Sequence, residues 1–301
     1  RIRNTCATDR MTNCNRLPLL LAATSYLWCL SPYAAAQNSD KPTMRVISTP
    51  TGVQFGLFGK KPKTPAPTLF VFAAAIADMN RQRIYSQAGE HLARDGWLYV
   101  TLDPPCHGAS QRPGEPAHLV GWAHRVKQGQ DLIGPFVKRC RQVLEFLITE
   151  GYSDPASFAA CGTSRGGFCA LHLAAAEPRI RVVTAISPVT NLLALREFKG
   201  VEPRLVQELN VANLAQKLGT RPLWLSIGAK DQRVSTADCT NAARQLKAAS
   251  LRRQAGNQAA TVDLVIAPVD GHRAIPHAYK LAAQFIQQQM VRELQLRKQA
   301  P

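Results

Sequence analysis

Acidic side chains are scarce in this 301-residue chain: 20 Asp and Glu stand against 37 Lys and Arg, a formal net charge of +17. Such an imbalance is compatible with a nucleic-acid or anionic-surface partner. The cations are scattered, however, with no basic block and no interleaved aromatic pattern, so a solvated basic surface is expected and nucleic-acid binding is not. Attraction to acidic substrates or anionic envelope polymers stays open. There is no internal repeat and, beyond the first forty residues, no apolar run of membrane-spanning length. Cysteines form neither a disulfide framework nor a metal-ligand pattern. Of the eight, Cys6, Cys14 and Cys29 lie near the start, and the remaining Cys106, Cys140, Cys161, Cys169 and Cys239 are widely spaced. An odd number leaves at least one unpaired; a single bridge is open, and Cys161 and Cys169 read as small buried thiols. Nothing in these patterns asks for a metal or cofactor. What is present is ordinary for a globular protein, with 46% hydrophobic and 19% charged residues, enough for a sizeable core.

The first residue is Arg1, and Met11 is the natural start. A short basic stretch to Arg16, the apolar residues 17–30 and the small residues Ala34, Ala35 and Ala36 have the layout of a secretory signal. Pro18 and the short run argue against a retained anchor. Residues 1–36 are therefore expected to be removed, residues 37–43 to be a linker, and the mature chain to be secreted or periplasmic without a membrane span.

From residue 44 onward, strand-like and helix-like patterns alternate. Residues 44–58 read as a hairpin around Gly52 and Gly56, and residues 68–75 as a strand buried on both faces. Residues 81–94 have helical spacing, and residues 98–102 form the next strand. A loop rich in Gly, His and Pro, containing His118 and His124, precedes a helix opened by Pro135. Further strands are expected at 182–189, 223–227 and 262–267, with helices beginning near Ser235 and Pro276. Residues 190–218 look helical and apolar-rich, either a small cap over a pocket or an ordinary crossover. The alternation predicts one α/β domain over residues 44–299, a mostly parallel doubly wound sheet with helices on both faces.

The chain is organised around Gly162-Thr163-Ser164-Arg165-Gly166, between an apolar strand and an apolar helix. This is the nucleophile-elbow pattern, in which a strained strand-to-helix turn leaves its neighbours no room for side chains. In such sheets sites form at the carboxyl ends of strands, where Asp231 and His272 also fall. The order Ser, Asp, His is that of the α/β-hydrolase fold. Ser164 would attack, His272 would take and return its proton, and Asp231 would hold the imidazole tautomer. His107 is the main rival base, but it precedes the elbow; Asp270 is too close to His272 along the chain to orient it.

Residues 102–110 (LDPPCHGAS), 151–167, 228–234 (GAKDQRV) and 270–272 (DGH) together resemble the dienelactone-hydrolase and prolyl-oligopeptidase-like group of α/β-hydrolases, over essentially the whole mature length. In that group the first segment is mainly a structural turn, which is the role implied for His107. The nucleophile here is Ser, not the Cys of dienelactone hydrolases proper nor the Asp of epoxide hydrolases and dehalogenases. Oxyanion donors are expected from the backbone N–H of Arg165 and from the loop after residues 68–75. Relatives usually carry His-Gly there; this chain has Ala74-Ala75-Ile76, so Ile76, or Ala75, would supply the second N–H. Arg165, Arg196 and Arg273 are the cations that could hold an anionic substrate group. The resemblance implies an exported serine hydrolase acting on a small-molecule or polymer-linked ester through an acyl-enzyme, without metal or cofactor. A serine peptidase of the prolyl oligopeptidase-like type is the first alternative, although the gating domain usual in such peptidases is not expected here. A degenerate hydrolase-like binding protein is the second.

Overall fold

The computed structural model describes residues 44–252 and 260–299; the expected signal segment and linker, residues 1–43, lie outside them. Eight strands are formed: β1 (Met44–Ser48), β2 (Gln54–Phe58), β3 (Ala66–Phe72), β4 (Leu98–Thr101), β5 (Ser153–Thr163), β6 (Ile180–Ile186), β7 (Leu223–Lys230) and β8 (Val262–Asp270). They make one sheet in the order β1-β2-β4-β3-β5-β6-β7-β8. The pairs β1–β2 and β2–β4 are antiparallel, and every pair from β4 to β8 is parallel. The helices are α1 (Ile76–Arg81), α2 (Gln87–Ala93), α3 (His118–Lys127), α4 (Gly134–Thr149), α5 (Arg165–Ala176), α6 (Pro203–Val206), α7 (Ala215–Leu218), α8 (Thr236–Arg252) and α9 (Ala278–Gln299).

Side chains of a strand point alternately to opposite faces, so a continuous apolar run fits only a sheet covered on both sides. β3 shows this directly. Its Phe70 and Phe72 enter one core with Trp122 of α3, Phe136 of α4, Phe168 of α5 and Leu246 of α8. Its Leu69 and Val71 enter the other with Leu92 of α2 and Ala282, Ile286 and Met290 of α9. Phe72 and Phe136 meet edge to face with ring centroids 5.2 Å apart. Truncating such a buried ring to alanine costs about 3–5 kcal/mol, so these contacts fix where the strand ends lie.

Three stretches fold differently from expectation. Residues 81–94 are not one helix: Gln82 leaves helical geometry (φ −106, ψ 72), and a 3₁₀ turn over Arg83–Ser86 separates α1 from α2. Over so short a span, spacings of three and four residues fit both helix types. The mid-chain loop contains α3, so His118 and His124 lie on a helix whose buried Leu119, Trp122, Ala123 and Val126 have helical spacing. Residues 190–218 form 3₁₀ turns and two single helical turns rather than a helix. Here the side chains of Asn191 and Asn210 accept the N–H groups of Leu193 and Ala212, offering the backbone an alternative to helical bonding. Leu192, Leu195, Phe198, Val201 and Val206 of that segment are buried in the core, as a crossover would be. The five described cysteines are all free and buried.

Candidate active site

Ser164 stands between β5 and α5 with φ 56 and ψ −119, a conformation that side chains rarely adopt. The glycines beside it are sterically obligatory. A Cβ on Gly162 would lie 2.1 Å from the carbonyl oxygen of Gly166, and one on Gly166 would lie 1.8 Å from that of Phe72. The turn is tied to the neighbouring strand: Ser164 N–H donates to the Ile186 carbonyl at 2.9 Å, and Val189 N–H donates to the Ser164 carbonyl at 3.1 Å. The hydroxyl is thereby held at the carboxyl edge of the sheet, with β6 and β7 between it and β8.

Asp231 follows β7 and is 2% exposed. Its Oδ1 accepts the backbone N–H groups of Arg233 (3.0 Å) and Val234 (3.2 Å), which leaves Oδ2 to accept Nδ1–H of His272 at 2.8 Å. With Nδ1 donating to a carboxylate, the lone pair of the neutral ring sits on Nε2. Nε2 lies 2.9 Å from Ser164 Oγ, whose hydroxyl donates to it. The loop carrying the imidazole is anchored from β6: Ser187 Oγ donates to the Arg273 carbonyl at 3.0 Å. Hydroxyl, imidazole and carboxylate from three separate strand ends thus meet in one hydrogen-bonded chain, the arrangement that lets a base take a serine proton while its own developing charge is compensated.

The rival residues lie elsewhere. Asp270 pairs with Lys230 at 3.1 Å on the exposed surface. His107 is buried, its Nδ1–H donating to the Pro105 carbonyl at 2.7 Å, as expected of a structural turn. Among the described residues no group of three or more His, Cys, Asp or Glu side chains is placed to hold a metal ion.

At the loop after β3 the structure corrects the expected second oxyanion donor. Ile76 N–H donates to Asp103 Oδ1 at 2.7 Å and is spent on that bond. Asp103, buried beyond β4, also accepts Ala109 N–H on Oδ2 at 2.8 Å. It therefore staples the loop after β3 to the loop after β4, and Ala75, at the helix cap (φ −61, ψ 154), is the remaining backbone donor of the expected pair. Arg165, the first residue of α5, sends its side chain toward this loop as well, Nε donating to the Ala73 carbonyl at 3.0 Å.

Ser164 and His272 open onto a cavity of about 490 Å³ walled by Ile84, Tyr85, Leu119 and Tyr279 and by three arginines, Arg165, Arg233 and Arg273. Its apolar wall comes from the segments after β3, β4 and β8; residues 190–218 contribute none of it, so they are not a cap on this pocket. Arg233 was not among the expected cations. It is near Asp231 in sequence, but only the fold brings it to the same cavity as the serine. Arg196, which was expected, pairs instead with Glu197 at 3.5 Å and is largely exposed.

The same fold occurs in solved structures. An acetyl xylan esterase from a Thermoanaerobacterium species aligns over 82% of this chain and 88% of its own, at 18% identity and a TM-score of 0.60. An acetyl xylan esterase from a Paenibacillus species aligns over 81% and 83% respectively, at 15% identity and a TM-score of 0.60. An acylaminoacyl peptidase from Pyrococcus horikoshii aligns over 84% of this chain but only 41% of its own, at 13% identity and a TM-score of 0.57. Identities this low speak for the fold alone. No curated protein matches the chain in sequence. The sequence profile of the prolyl oligopeptidase family does match, over residues 136–292, a span that contains Ser164, Asp231 and His272 and stops short of the loop after β3. That span is just over half of the chain, and with the α/β-hydrolase sheet around it the protein belongs to the prolyl oligopeptidase family of serine hydrolases.

Proposed function

We propose that the protein is a carboxylic-ester hydrolase working through an acyl-enzyme on Ser164, with His272 as general base and then acid and Asp231 as the group that holds the imidazole. The observation that carries this reading is the pair of contacts at His272, 2.9 Å to Ser164 Oγ and 2.8 Å to Asp231 Oδ2. Attack by Oγ on the ester carbonyl would pass the proton to Nε2, and Nε2 would return it to the departing alcohol. The N–H of Arg165, at the first turn of α5, and that of Ala75 are the proposed donors to the oxyanion. Water, activated by the same imidazole, would then release the acid.

Ester rather than peptide chemistry is favoured by the cavity lining. It holds arginines and no carboxylate, so the ammonium group of a peptide N-terminus would find no partner there. Export to a secreted or periplasmic site belongs to the same proposal and rests on the signal-like residues 1–36. A fluorophosphonate probe is expected to label the protein and to fail on Ser164→Ala. Short p-nitrophenyl esters are expected to be hydrolysed and aminoacyl anilides to be left intact; the opposite preference would favour the peptidase reading. Absence of labelling on the folded wild type would favour a degenerate binding protein.

A further inference from the structure

We propose that the cavity beside Ser164 is an anion pocket, and that the ester hydrolysed there carries a carboxylate a few bonds from the scissile carbonyl. This rests on the hydrolase reading above and names its substrate class. Three guanidinium groups line the same cavity as the nucleophile and base, and no Asp or Glu lines it. Arg165 is half-buried, and among the described residues its side chain makes one hydrogen bond, from Nε to the Ala73 carbonyl, which leaves both Nη groups unspent there. Among the described residues neither Arg165 nor Arg273 is paired with a carboxylate. Arg233 donates through Nη2 to Glu197 at 2.7 Å, but its Nη1 is sealed from solvent without a hydrogen-bond partner.

The nearby acids are otherwise engaged. Asp231 is committed to His272, Asp78 to Arg81, and Asp270 to Lys230. Glu197 is shared between Arg233 and Arg196, which leaves Arg165 and Arg273 without a paired carboxylate among the described residues. Removing a cation from water without a counter-charge is costly, and burial indeed lowers the Arg165 guanidinium from its ordinary value. A site that carries this cost when empty recovers it when an anion enters. The planar fork of arginine matches a carboxylate in particular, since two parallel N–H groups can meet its two oxygens. The transient oxyanion is met by the backbone N–H groups proposed above, so three arginines in one pocket exceed what it needs. The cavity, about 490 Å³, has room for a small aromatic or sugar acid ester.

The test compares two esters that share the scissile acetyl group, 4-acetoxybenzoate with its distal charge and its neutral methyl ester, each rate taken relative to the uncatalysed hydrolysis of the same ester. The charged ester is expected to show kcat/KM at least about tenfold higher at low salt, chiefly through KM, with the preference shrinking as salt is raised. In the double variant Arg233→Gln, Arg273→Gln the ratio of the two is expected to fall by about tenfold, while Arg273→Lys keeps part of it. On the unaltered protein, 4-hydroxybenzoate is expected to slow fluorophosphonate labelling of Ser164, and 4-hydroxybenzyl alcohol is not. A ratio near or below one, with the methyl ester hydrolysed in a Ser164-dependent way, overturns the anion pocket and leaves the hydrolase standing. A ratio that survives the double variant also overturns it. No hydrolysis of either ester, with no labelling of Ser164, overturns both.

Discussion

At Ser164 the chain places a Cβ where glycine would sit with less strain, φ 56 and ψ −119. The strain belongs to the backbone and not to the hydroxyl, so removing the oxygen alone should not relieve it. Ser164→Gly is therefore expected to unfold with a free energy about 1 kcal/mol above that of Ser164→Ala, both being inactive, as read by urea denaturation. An alanine variant as stable as the glycine one would show that the elbow stores no strain. Asp231 offers a second test at this scale. In Asp231→Asn the side-chain oxygen can still accept the N–H groups of Arg233 and Val234, but an amide nitrogen would then face Nδ1 and select the wrong tautomer. Steady-state kinetics should show kcat lower by about ten-thousandfold with an unchanged melting temperature. A loss below tenfold would mean that the imidazole is oriented by something else.

Between elements, the contact that matters most for the site is the one the sequence did not announce. Asp103 joins the loop after β4 to the first residue of α1, and through Ile76 it sets the path of Ala75. Asp103→Ala is expected to lower kcat by about ten- to a hundredfold with little change in KM, because a displaced oxyanion donor weakens transition-state binding alone. Asp103→Asn should recover most of the loss, since an amide oxygen can still accept Ile76 N–H. A variant that loses stability yet keeps kcat would assign Asp103 to the fold only. The elbow, the hairpin and the helix α4 were readable because glycine sterics and 3.6-residue spacing are local signals. Asp103 lay inside a segment recognised as a turn, but its partner is 27 residues away, and such a pairing has no periodicity to betray it. Residues 190–218 misled for the converse reason: their leucines are spaced as in a helix, while Asn191 and Asn210 cap turns that interrupt it.

For the whole molecule, two histidines buried in the neutral form set the response to acid. Burial pushes His107 and His172 each down to about 4, the hydrogen bonds from their rings to the Pro105 and Leu209 carbonyls opposing the shift. An unfolded histidine titrates near 6.5, so between roughly pH 6.5 and 4 the unfolded chain binds more protons than the folded one. Their contribution is thus complete above about pH 6.5 and is lost as the pH falls toward 4. The loss is on the order of a few kcal/mol for each. The denaturation midpoint is expected to fall steeply across that window and to fall less steeply in His172→Gln; a flat profile would show that neither ring is kept neutral by the fold.

What the amino-acid order determined by itself is the layering and the nucleophile. Apolar runs that alternate between strand and helix periods can be buried only in a parallel sheet covered on both faces, and Gly162 and Gly166 leave Ser164 the one tight turn that suits it. Which backbone N–H is spent on Asp103, and which arginines share the cavity with Ser164, was decided only by the tertiary structure. Those are contacts between loops distant in the chain, brought together because the strand ends converge, and convergence in space leaves no mark on the spacing of residues along the chain.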